Sequence, residues 1–209
     1  MTTLAATSSP APTATSASAA ALADRPTAAA LALEAASCTD LVRTFARGVQ
    51  PQLDDLVGWE FRGINRLPLN QIPIARAVGI KKFVKGFYRD DATGRVLGYN
   101  SAVKMNALAD EWVVSATRYG FYEVAPVDPT ARDNTYLHAV LLDYGKGGNR
   151  AFDPTRNLRD YVVQVEPGNP DLLLGLAFYA LGPARIGPTN FFILERHRPG
   201  LTDYAKRKA

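Results

Sequence analysis

The sequence predicts a mainly β protein, a closed antiparallel up-and-down barrel of about eight to nine strands with one helix ahead of it. Three observations predict it. Short stretches of apolar–polar alternation recur at regular spacing between Leu56 and Arg198, the pattern of a sandwich or barrel. Turn-forming clusters such as "DDATGR" (90–95) and "PGNP" (167–170) separate them. Two stretches, "YLHAVLL" and "DLLLGLAFYAL", are apolar on both faces, as a strand is when both sides of its sheet are covered. An open antiparallel sheet of this size leaves two edges to protect, and closure removes them.

The elements follow in order. Residues 1–26 are Ala, Thr, Ser and Pro with almost no large side chains. They cannot bury enough surface to offset chain entropy and read as a disordered tail. Over 27–48, Leu31, Ala35, Cys38, Leu41, Val42 and Phe45 fall near helical spacing behind Pro26, with Gly48 as the stop. Residues 49–199 form the barrel and 200–209 a basic tail. Strands are expected at 56–64, 80–90, 95–105, 111–120, 121–127, 135–144, 160–167, 171–181 and 190–198, with a short helix near 71–79. The glycine-rich stretch 144–157 is a long loop.

Composition bounds the function only loosely. The chain has 209 residues, enough for one domain plus a tail, and a net charge of +4, which favours anions without choosing a partner. Its single cysteine, Cys38, excludes an internal disulfide framework and fits the cytoplasm. The alternative, a lipoprotein cleavage box at "AASC", is opposed by Asp24, Arg25 and Glu34 in the segment ahead of it. No apolar run is long enough for a transmembrane helix.

The charge is unevenly placed. From Phe61 to Arg89 there are seven basic residues and no acid. Read as a helix, 80–89 is amphipathic and suits a membrane surface. Gly79, Gly86 and the aromatic, β-branched content favour a strand, with Phe83, Lys85, Phe87 and Arg89 on one face and Lys82, Val84, Gly86 and Tyr88 on the other. The plain reading puts most of these cations on a solvated strand face. The sharper one sets some of them at the rim of a ligand mouth.

At this point the chain resembles a family. A helix precedes Gly58 and Trp59, which are adjacent and open the first strand. A run of hairpins follows, and the last strand reads "FFILER" with Arg196 near its end. This is similar to the lipocalin-like or calycin barrels, including bacterial lipocalin-like domains of unknown function. The resemblance implies that Trp59 packs on Arg196 to close the barrel floor, and it implies an interior that binds a small hydrophobic or amphipathic molecule.

The chain carries no nucleophile elbow, zinc-protease helix, phosphate loop or dinucleotide glycine fingerprint. Two histidines and one cysteine, far apart, make no zinc set, and no cofactor is expected. The leading expectation is a barrel that binds an amphipathic molecule, with an anionic end met by Arg62, Lys82, Lys85 or Arg159. Tyr99, Tyr136, His138 and Phe178 complete the candidate ligand-binding set. The wider aromatic set, including Trp112, Tyr119 and Phe192, serves a pocket or plain core. An isomerase or cyclase in the same cavity is the alternative, with His138, Asp143, Tyr144 and Asp160 as acid–base candidates. A third reading docks 71–89 on an anionic membrane surface. Nucleic acid is opposed by the shortness of the patch and the lack of a binding motif.

Overall fold

The computed structural model describes residues 25–66, 80–182 and 184–200. The expected helix near 71–79, most of the 1–26 tail and the basic tail beyond Gly200 lie outside the described residues.

The chain enters through two helices where the sequence predicts one. Thr27 caps α1 (Ala28–Ala35), accepting from the Ala30 N–H, and Ser37 caps α2 (Cys38–Arg47), accepting from the Asp40 N–H at 3.1 Å. Ala36 is extended, so the chain turns between them. The break lies at Ser37 because its hydroxyl satisfies a backbone donor that a continuous helix would not leave free. The turn also changes which side chains are buried: Ala30, Leu41 and Phe45 pack inward, while Leu31, Cys38 and Val42 are exposed. Gly48 ends α2. Val49 then bridges to Gln164, and α3 (Leu53–Leu56) follows.

Eight strands close the barrel in sequence order: β1 (Trp59–Arg66), β2 (Lys82–Arg89), β3 (Val96–Val103), β4 (Val114–Pro126), β5 (Val140–Asp143), β6 (Leu158–Gln164), β7 (Leu172–Leu181) and β8 (Ala184–Pro199), with β8 pairing back on β1. All pairs are antiparallel. The count is eight because 111–120 and 121–127 are one strand. Gly120 takes a left-handed φ of 53° inside β4, and the register with β3 slips there, from Gly98↔Tyr122 to Asn100↔Tyr119. A bulge absorbs the extra residue without breaking the strand. β5 is shorter than predicted, because Tyr136 packs edge-on against Phe45 of α2 at 5.1 Å instead of joining the ladder.

Two apolar layers result. Inside the barrel, Phe61, Phe87, Tyr122, Leu142, Leu173 and Leu194 fill one half, and Leu56 of α3 joins them. Outside, Ile64, Val84, Tyr161, Val163, Leu174 and Ile193 pack with Ala30, Leu41 and Phe45 of the two helices. β7 is apolar on both faces because it belongs to both layers. Three interior rings lie flat across glycines on the neighbouring strand: Phe83 over Gly63, Tyr122 over Gly98 and Phe192 over Gly175. A Cβ at Gly175 would stand 2.0 Å from the Phe192 ring, so these positions hold glycine for close approach.

The basic stretch is a strand, but its lysines are not solvated. Lys82 and Lys85 are buried, while Lys81 stays exposed. Lys82 points out of the barrel and is roofed by the β3–β4 connection. Its ammonium donates to Asn106 Oδ1 at 2.5 Å and Ala107 O at 3.2 Å and lies 4.6 Å from the Trp112 ring centre. Arg62, on the same outer side, pairs with Glu195 at 2.6 Å, and Glu195 also accepts from the Thr27 N–H at 3.1 Å at the start of α1. Among the described residues, no helix is long and apolar enough to cross a membrane.

Candidate functional site

The inward face of β2 sets Lys85 between Phe83 and Phe87. Its direct partner across the ladder is Asn100 of β3. Asp160 comes from β6 and Tyr144 from the end of β5, so four neighbouring or facing wall segments converge on one ammonium. The Lys85 Nζ donates to Tyr144 Oη at 2.5 Å, Asn100 Oδ1 at 3.1 Å and Asp160 Oδ2 at 3.1 Å. Those three bonds use every N–H of the ammonium. Tyr144 donates to Asp160 Oδ2 at 3.1 Å, and the Asn100 amide donates to Gly120 O at 2.9 Å. The bulge at Gly120 thereby orients Asn100.

Asp160 is the asymmetric member. Its Oδ2 accepts two hydrogen bonds. Its Oδ1 is buried and has no hydrogen-bond partner among the described residues. A buried carboxylate oxygen in that state is costly. Burial pushes the Lys85 ammonium below the ordinary lysine value, with Asp160 opposing the shift. Burial pushes the Tyr144 phenol well above 10, and the Asp160 charge adds to it. The ammonium also faces the rings of Tyr122 at 4.8 Å and Phe192 at 5.3 Å, whose electron-rich faces attract it.

A cavity of about 190 Å³ opens above this cluster. Lys85, Asn100, Tyr144 and Asp160 form its polar end, and Phe83, Phe192, Leu158, Ile80 and Ala177 its apolar wall. Asn65, Asn190, Tyr119 and Thr155 complete the described lining, with Asn190 donating to Asn65 Oδ1 at 2.9 Å. The volume is smaller than the ~300–1,000 Å³ of pockets for drug-sized ligands. A long acyl chain does not fit it, because aromatic and leucine side chains occupy the other half of the interior.

Of the residues singled out from the sequence, the structure brings Lys85, Tyr144 and Asp160 together at the cavity. Tyr119 and Phe192 of the wider aromatic set line the cavity with them, and the remaining candidates lie elsewhere. Arg62 and Lys82 lie on the outer side of the wall. Tyr99 also faces outward, donating to Glu60 Oε1 at 2.7 Å. Tyr136 and Phe178 pack in a ring cluster with Tyr161. His138 Nε2 contacts Phe45 O at 3.1 Å, next to α2. Asp143 pairs with Arg159 at 3.1 Å. Among the described residues, no three His, Cys, Asp or Glu side chains group to hold a metal.

Asn100, Asn65 and Asn190 are the site residues that sequence reasoning missed. A signal existed for Asn100. Asparagine is depleted in strands, and "GYNSAV" carries one in mid-strand on the inward side of Gly98. At the other end of the barrel, the Arg196 guanidinium stacks 4.5 Å from the Trp59 ring centre, and its Nη2 donates to Asp55 O at 2.9 Å beside α3. Comparison with family models, with curated proteins and with solved structures gives no match.

Proposed function

We propose that this chain binds a compact amphipathic small molecule in the open half of the barrel. Its polar head lies against Lys85, Tyr144, Asp160 and Asn100, and its apolar part along Phe83, Phe192 and Leu158. The observation that carries this reading is the cavity of about 190 Å³ with Lys85, Asn100, Tyr144 and Asp160 at one end and an apolar wall at the other. An anionic head has less support, because Asp160 already balances the Lys85 charge and every Lys85 N–H is engaged. The Trp59–Arg196 contact and the closed eight-strand barrel support a lipocalin-like kinship.

An isomerase or cyclase in the same cavity is the second reading, and the meeting of Tyr144 with Asp160 favours it. For membrane docking, burial of Lys82 and Lys85 leaves Lys81 and Arg89 as the described cations of the basic segment.

Benzyl alcohol tests the binding reading, since it joins a hydroxyl donor to a flat apolar body and has no carbonyl. Titrated into the full chain, it is expected to shift the amide resonances of Asn100, Phe83 and Phe192 saturably. The shifts should vanish in Ala177→Phe, which fills the cavity. Equal shifts in that folded variant, or no saturable shift in the parent protein, would overturn the reading.

A further inference from the structure

We propose that Lys85 is a nucleophile that captures the carbonyl group of an aldehyde or ketone as an imine. The inference rests on the cavity reading above and names the ligand class for that cavity. Its geometric basis is the contrast between two buried lysines three residues apart. Lys82 is held by an amide oxygen and backbone carbonyls beneath a loop, and the described cavity lining does not include it. Lys85 stands at the base of a cavity, within hydrogen-bond reach of a carboxylate and a phenol, with aromatic rings around it. A lysine desolvated in this way is an amine that can lose its proton and attack.

The neighbours supply each proton the step needs. Asp160 accepts a proton from the Lys85 ammonium. The free amine adds to the carbonyl carbon, forming the N–C bond and breaking the C=O π bond. The carbonyl oxygen takes a proton from Tyr144, which recovers one from the adduct nitrogen. Asp160 then returns its proton as the C–O bond breaks, and the hydroxyl leaves as water. The sum is ammonium plus carbonyl to iminium plus water, with the net charge of the cluster the same before and after. Burial favours the first transfer, since it already pushes the Lys85 ammonium down.

The test uses benzaldehyde with cyanoborohydride on the full chain near neutral pH, followed by peptide mass mapping. Benzaldehyde has no enolisable position, so trapping reports imine formation alone. Lys85 is expected to be benzylated ahead of the exposed Lys81, Lys104 and Lys146, because burial pushes its ammonium below the ordinary lysine value. Benzyl alcohol should slow the labelling of Lys85 and spare the exposed sites. Tyr144→Phe should slow trapping at Lys85 relative to the exposed lysines of the same chain, which keeps the test open if Lys85→Met does not fold. Labelling confined to the exposed lysines, with benzyl alcohol still binding, would overturn this inference and leave the binding reading standing. Loss of both would overturn the two together.

Discussion

Two ion pairs are sealed in the wall of this barrel, and they are built differently. On the outer side, Arg62 meets Glu195 beneath α1, and both Glu195 oxygens are engaged, by the guanidinium and by the Thr27 N–H. On the inner side, Lys85 meets Asp160, and one Asp160 oxygen is left without a partner beside a cavity. The outer pair fastens a helix to two strands, and the cavity described above does not border it. The inner pair borders a cavity with room for another molecule. Burial alone, shared by both, separates nothing. The adjoining volume does.

The largest expected effect breaks the outer pair. Arg62→Met leaves Glu195 buried and unpaired and should cost about 3–5 kcal/mol, read as a lower denaturant midpoint. The matching change inside, Lys85→Met, should cost less, because Asp160 borders a cavity that water can enter. Equal losses would mean that the cavity does nothing to relieve Asp160. The next effect is on the cavity wall. Gly175→Ala drives a methyl into the Phe192 ring, and overpacking of this kind costs about 1–3 kcal/mol. The displaced ring should also weaken benzyl alcohol binding, whereas a change confined to stability would separate that ring from the site.

The smallest effect is on the outer side and depends on pH. Burial and the Glu60 hydrogen bond push the Tyr99 phenol from 10 up to about 12. The folded state therefore holds a proton that the unfolded chain releases at pH 10. That stabilisation is full below pH 10 and is lost as pH rises through 12. Tyr99→Phe should cost about 1 kcal/mol at neutral pH, and that cost should shrink as pH rises from 10 toward 12, checked by denaturant titrations across that range. A cost independent of pH would assign Tyr99 a packing role alone.

Local pattern carried much of the architecture. The alternation along 80–90 put Lys85 on the side of Phe83 and Phe87 and Lys82 on the other, and both placements hold. The turn chemistry at 90–95 joins β2 to β3. What pattern did not carry was the environment of each face. Period-two spacing says that two side chains are opposed, not which of them meets solvent. Along β2 neither does: its outer face is covered as well as its inner one, so Lys82 and Lys85, expected in water, are both buried.

The sequence by itself determined the closed antiparallel sheet, the order of its hairpins and the helical lead-in, because these follow from near-neighbour periodicity and turn residues. Only the tertiary structure decided the site. Lys85, Asn100, Tyr144 and Asp160 span 75 residues, and three things bring them within hydrogen-bond reach. One is the ladder register that pairs Lys85 with Asn100. Another is the bulge at Gly120 that turns the Asn100 amide. The third is closure of the sheet, which faces β2 with β5 and β6. Contacts made by closing a barrel are long-range, and no spacing rule along the chain encodes them.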